Sequence, residues 1–240
     1  MKRLFRNLLR SAGFDLTGFS PKFHSAARKL HLLQTPGLEA VIDIGANQGQ
    51  FGAWLRVSGW TGKIHSFEPG SQAFSALKLK TDQDRNWEAH RLAIGSKAGN
   101  LELHVSKDSF SSSLKAPTET NIETCPAVQM DFSEVVPVKT LDQVVQETLP
   151  NTKGLAVKID VQGHESEVLQ GAEMTLRDCR LLIVELSLRE LYHGQKTLHE
   201  LLPEIYRQGF YLTVIEPCHE DFSNMEILQV DAWFLKTMVQ

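Results

Sequence analysis

From about residue 38 onward, short apolar runs alternate with stretches whose apolar residues recur at helical spacing, and this alternation constrains the fold more than any other feature. The runs are 39–45 (EAVIDIG), 63–69 (KIHSFEP), 88–95 (EAHRLAIG), 101–106 (LELHVS), 155–160 (LAVKID), 180–187 (RLLIVELS), 210–216 (FYLTVIE) and 230–236 (VDAWFLK). Val168, Leu169, Ala172 and Leu176 follow the fifth run at helical spacing, and Leu198, Leu201, Leu202 and Ile205 follow the sixth. Strands that alternate with helices build βαβ units, so the expected architecture is α/β with a mostly parallel sheet. At 240 residues the chain suffices for one such domain, over 39–240, preceded by an arm over 1–38. The segment from Ser106 to Pro137 breaks the rhythm with Ser, Thr, Glu and Pro. It reads as a lid near a ligand or as a mobile surface loop.

Charge separates arm from body. Residues 1–30 hold Lys2, Arg3, Arg6, Arg10, Lys22, Arg28 and Lys29 against one acid, Asp15, while the whole chain carries −4. The acidic body disfavours broad binding to nucleic acid, which needs a cationic face. Leu4, Phe5, Leu8, Leu9 and Ala12 share one helical face, so residues 1–16 form either a helix packed on the domain or a peripheral contact with a membrane surface. These apolar runs are too short for a secretory signal or a spanning helix, which points to the cytoplasm. Cys125, Cys179 and Cys218 are widely spaced and suggest neither a zinc knuckle nor a disulfide framework.

The corner VIDIGANQGQF carries the first chemical signal. Val41, Ile42 and Ile44 mark a buried strand, Asp43 interrupts it, and Gly45 and Gly49 bracket the turn into the next helix. Ligands of open α/β sheets bind at this edge, and glycine lets the backbone approach them. Nineteen residues after Gly49, Glu68 ends the next run, where a carboxylate can accept both hydroxyls of a ribose. The order G-x-G-x-x-G that seats a pyrophosphate is missing, because Asn47 stands at its second glycine. A mononucleoside with an amino-acid tail suits the corner better, namely S-adenosylmethionine, whose ammonium would partner the otherwise costly Asp43.

A second constellation lies in LAVKIDVQGHESEV: Lys158 and Asp160 close an apolar strand, and Gln162, His164 and Glu165 enter a helix. Methyl transfer to a hydroxyl requires in-line positioning and a base. His164 is the first candidate base, for its pKa, and Asp160 the second. The same residues admit structural roles: Asp160 on the cofactor's ammonium, Lys158 paired with Asp43 or Glu185, His164 as a turn residue. Asp160 with Glu185 offers two oxygens to a divalent cation such as Mg, which would acidify the acceptor. Ser111, Ser112 and Ser113 could hydrogen-bond a polyhydroxylated acceptor.

VIDIGANQGQF, FEPG, LAIGSKAGNLEL, VKTLDQVV, VKIDVQGHESEVLQGA and IVELS, in that order over roughly residues 39–190, resemble the FkbM family of S-adenosylmethionine-dependent methyltransferases. The resemblance implies a class I methyltransferase, Rossmann-like fold: a seven-stranded, mostly parallel sheet with helices on both faces and an antiparallel last strand. It also implies O-methylation of a hydroxylated small molecule such as a sugar, glycolipid or polyketide-like product. Carried over by position, Asp43, Gly45, Asn47 and Gly49 would line the methionine end, Glu68 would hold the ribose, and Ala93 and Ile94 would flank adenine. The family usually has Glu at the position of Gln162, so a duty there that needs negative charge is altered. Two competing readings are N- or C-methylation on the same fold, and a non-catalytic scaffold that docks through its arm.

Overall fold

In the computed structural model, the described residues are 7, 9–14, 18–107 and 111–237. The chain divides into two compact units, Met1–Thr35 and Pro36–Gln240. The first contains helix α1 (Ser25–Leu33) and leaves Phe14, Phe19 and Phe23 exposed. The expected amphipathic face of residues 1–16 falls mostly outside the described residues. Among the described residues, no helix is long and apolar enough to cross a membrane.

Among the described residues, the second unit holds ten strands: β1 (Ala40–Ile44), β2 (Lys63–Phe67), β3 (Trp87–His90), β4 (Ala93–Ile94), β5 (Gly99–Ser106), β6 (Met130–Lys139), β7 (Leu155–Ile159), β8 (Cys179–Ser187), β9 (Phe210–Asp221) and β10 (Glu226–Lys236). Its helices are α2 (Gln50–Val57), α3 (Ser71–Thr81), α4 (Glu119–Thr124), α5 (Leu141–Thr148), α6 (Glu165–Gln170), α7 (Thr175–Asp178) and α8 (Leu198–Arg207). Seven strands form one sheet in the order β3-β2-β1-β7-β8-β10-β9. β10 runs antiparallel to both neighbours, and the remaining pairings are parallel.

β1 (AVIDI) sits at the centre because a parallel strand covered on both faces must be apolar throughout, and all five of its residues are buried. On one face, Ile42, Ile44, Val157, Ile159 and Val184 meet Leu141 and Val144 of α5, Val168 and Leu169 of α6, and Leu201 and Ile205 of α8. On the other, α2 and α3 approach Trp87, and a Cβ on Gly52 would stand 2.2 Å from the indole. Helix α5 starts where Thr140 and Gln143 cap each other's backbone N–H, each at 3.2 Å.

Two expectations change here. The run 88–95 is split: β3 closes the large sheet, whereas β4 pairs in parallel with β6 in a second sheet of order β4-β6-β5. The Ser106–Pro137 segment is not one long loop, since it contains α4, a 3₁₀ turn (Pro126–Val128) and most of β6. Leu103, Val105, Val136, Val138 and Ala93 give the small sheet its own apolar core. This sheet sets β4 and the serine segment beside the carboxyl ends of the central strands.

Candidate active site

The carboxyl ends of β1, β2, β7 and β8 open on a cavity of about 490 Å³. Its donor end begins at Gly45, whose N–H, like that of Ala46, donates to the Phe67 carbonyl at 3.0 Å and ties the first turn to β2. Gly45 has φ +78, and a Cβ there would lie 1.7 Å from the Asp160 carbonyl oxygen, so two backbones touch at this point. Asn47 (φ +47) lines the cavity and donates its backbone N–H to Glu68 Oε2 at 2.8 Å; Gly70 N–H donates to Oε1 at 2.8 Å.

Glu68 is 7% exposed on the cavity wall. Burial pushes its carboxyl up to about 7, while the two N–H groups pull the other way. Each carboxylate oxygen has two acceptor sites and here receives one donor, so capacity remains for a diol. Phe67, Leu92, Ala93 and Ile94 supply an apolar wall next to it. An acceptor-rich carboxylate beside an apolar slot fits a nucleoside. Gly49 instead adopts φ +83 to begin α2, backed by Leu77 and Trp87, and does not line the cavity.

Asp43 is fully buried beneath the cavity floor. Its Oδ2 accepts from Ser66 Oγ at 3.3 Å, and Lys158 Nζ stands 3.6 Å from Oδ1. Burial raises its pKa and Lys158 offsets part of that rise. Lys158 reaches the cavity, donating to Asp160 Oδ2 at 2.9 Å above the Phe51 ring. The ammonium expected from a ligand at Asp43 is thus supplied by the chain itself. Parallel register explains the meeting, since Asp43 pairs with both Ser66 and Lys158.

Gln162 is the hub of the acceptor end. Its Nε2 donates to Asp160 Oδ1 at 3.0 Å and to Glu185 Oε2 at 2.8 Å, and its Oε1 accepts from the Tyr192 hydroxyl at 2.9 Å. Its carbonyl accepts from Ser113 Oγ at 2.5 Å, and its own φ is +53. The amide nitrogen therefore lies between the two carboxylates, where the cation expected at Asp160 and Glu185 would have to stand. Glu185 also accepts from Gln229 Nε2 at 2.8 Å on Oε2, while Cys218 Sγ is 3.7 Å from Oε1. Burial, with Asp160 and Glu165 adding to it, holds the Glu185 carboxyl well above the usual range. Glu165 is structural: its Oε1 accepts from Gly163 N–H at 3.0 Å and Val161 N–H at 3.3 Å, shaping the turn.

His164 does not line this cavity. It precedes α6 with its ring turned toward Gly95, where an added Cβ would stand 3.2 Å from Nε2, and toward Glu167, 3.7 Å from Nδ1. Burial lowers its pKa. Four lining residues carry no local signal in the sequence: Tyr192, Cys218, His219 and Gln229. The β9–β10 hairpin and the segment after β8 bring them in from the far end of the chain.

The family described as "Methyltransferase FkbM domain" matches residues 43–212. A relative named 2-O-methyltransferase NoeI, from Sinorhizobium fredii (strain NBRC 101917 / NGR234), is 26% identical over 71% of this chain and 72% of its own length. Methyltransferase sdnD from Sordaria araneosa is 28% identical over 58% of this chain and 62% of its own. Among solved structures, an S-adenosylmethionine-dependent methyltransferase from Listeria monocytogenes superposes with TM-score 0.48 at 9% identity, covering 89% of this chain and 100% of that one. The chain belongs to the FkbM methyltransferase family and is an S-adenosylmethionine-dependent methyltransferase.

Proposed function

We propose that this enzyme methylates a hydroxyl of a polyhydroxylated small molecule, of the sugar, glycolipid or polyketide-like class, and that Glu185 takes the hydroxyl proton. The observation that carries the reading is a carboxylate at the cavity wall whose Oε1, among the described residues, meets the weak thiol donor of Cys218 at 3.7 Å, and whose burial raises its pKa. Gln162 and Gln229 contact it, and Asn121 and the 111–113 serines line the same cavity with side chains suited to hydroxyl groups. A relative named as a 2-O-methyltransferase supports the same chemistry.

S-adenosylmethionine supplies an electrophilic methyl group on a sulfonium centre. Glu68 and the Asn47 turn would hold its nucleoside, and the Leu92–Ile94 wall would exclude water from the base. Asp160 is fixed by Lys158 on one oxygen and Gln162 on the other, which makes it an orienting group. In its ionised form Glu185 would accept the acceptor's proton at Oε1 while the hydroxyl oxygen bonds to the methyl carbon and S-adenosylhomocysteine leaves, and its raised pKa makes that form a stronger base than an ordinary carboxylate. His164, outside the cavity, has no part in this scheme.

Glu185→Gln keeps the size of the side chain and removes the base. Turnover should fall about 10²–10⁴-fold with S-adenosylmethionine affinity retained. The assay is a screen of hydroxylated acceptors for release of S-adenosylhomocysteine, with the methylated atom located by NMR. Parental turnover in Glu185→Gln, or methyl found on nitrogen or carbon, refutes the proposal.

A further inference from the structure

Away from the cavity, the β2–β3 edge of the large sheet gathers two imidazoles and a carboxylate. His65 on β2 and Glu88 and His90 on β3 share one face, with His65 opposite Glu88 in the register. His65 Nδ1 and His90 Nε2 are 3.2 Å apart, and Glu88 Oε2 stands 3.9 Å from the first and 4.0 Å from the second. We propose that His65, Glu88 and His90 form a binding site for a divalent transition ion of the zinc type.

Without an ion the two rings share a hydrogen bond, and the same spacing lets an ion replace the shared proton. An ion held tetrahedrally at about 2.0–2.1 Å from its ligands places neighbouring donor atoms about 3.3–3.4 Å apart. The two nitrogens already match that edge to within about 0.2 Å. The two edges to Glu88 must shorten by about 0.6 Å, and Glu88 is the free member, its side chain 64% exposed. The imidazoles are the fixed members: His65 is 3% exposed, and the His90 ring stacks on Phe67 with centroids 4.6 Å apart. Burial depresses both ring pKa values, His65 to about 4, so both are neutral ligands at pH 7. Nitrogen donors select zinc, cobalt or nickel over magnesium and calcium. Lys63 opposes a cation here and Glu88 favours one.

The location gives the site a consequence. The His90 carbonyl accepts the Glu68 N–H at 3.1 Å, and Phe67, on which its ring rests, accepts the N–H groups of Gly45 and Ala46. An ion here would clamp the outermost strand to β2 directly behind the donor pocket, without touching the reacting atoms.

The test is a titration of the metal-free full chain with cobalt(II), followed by visible absorption and by competition with zinc. One saturable chromophore per chain, bleached by zinc, and a zinc-dependent rise in melting temperature are expected. His90→Gln and Glu88→Gln should each bind cobalt on the order of tenfold or more weakly. Glu88 is exposed, so its variant keeps the fold, which melting without metal verifies. Absence of a saturable chromophore, or parental affinity in either folded variant, overturns the assignment.

Discussion

Replacing Glu68 by Gln tests the donor pocket most directly, because one group there carries both a hydrogen-bonding and a protonic signature. In the ligand-free fold its carboxyl has a pKa of about 7 against an ordinary 4.5. A carboxyl with a raised folded pKa stabilises the fold fully below its unfolded value and loses that contribution as pH rises through about 7; the difference is on the order of 3 kcal/mol. Ribose hydroxyls donate to the ionised form, so binding should release up to about half a proton at pH 7. Affinity should climb with pH, by up to about tenfold per unit, and level off above 7. In Glu68→Gln the amide can accept from only one of Asn47 and Gly70 at 2.8 Å and points a donor at the other. Affinity should drop by about 1–3 kcal/mol and lose its pH dependence. Calorimetry of S-adenosylmethionine binding in two buffers of different ionisation enthalpy reads the proton directly. Equal heats in both buffers, with flat affinity between about pH 5.5 and 8.5, would refute the assignment of Glu68 to the ribose.

Gln162→Glu replaces a donor shared by two carboxylates with a third acid about 3 Å from each. At an effective dielectric constant near 20 each ionised contact costs about 5 kcal/mol, so the cluster should retain a proton instead. The acid limb of the pH–rate profile should move up by at least about one unit, and the melting deficit relative to the parent should widen as pH rises. An unshifted profile with a pH-independent deficit would show that the amide does not bridge two acids. Gly45→Ala forces a methyl into the Asp160 carbonyl at a positive φ, and should cost several kcal/mol in chemical denaturation, roughly 3 or more. A loss below about 1 kcal/mol would mean that the two turns can part freely.

The donor half was legible in the sequence because its parts are local. A strand, a glycine turn and an acid at the next strand end occupy Val41 to Glu68, and each obeys a short-range rule. β6 escaped notice because MDFSEVVPVK exposes most of its residues and contains a proline, so neither alternation nor a continuous apolar run survives. The role expected of His164 rested on the pKa of an imidazole, which says nothing of direction, and the ring at the start of α6 turns toward Gly95. Asp43 read as a ligand contact because a lone buried acid needs a partner; the alternative reading, a pair with Lys158, is the one the fold makes, from a strand more than a hundred residues away. Glu185 was visible as a candidate metal ligand and as a candidate partner of Lys158. Its raised pKa depends first on burial and then on Asp160 and Glu165, which converge from other elements.

The β9–β10 hairpin delivers Cys218, His219 and Gln229 to the cavity at the point where its pairing with β8 ends, Gln229 lying opposite both Ser187 and His219. In the proposed scheme this ribbon supplies part of the wall around the methylated compound, and it shares no residue with the strands proposed to hold the nucleoside. Exchange of side chains along that ribbon could redirect the enzyme to a new recipient while leaving its hold on the methyl source untouched.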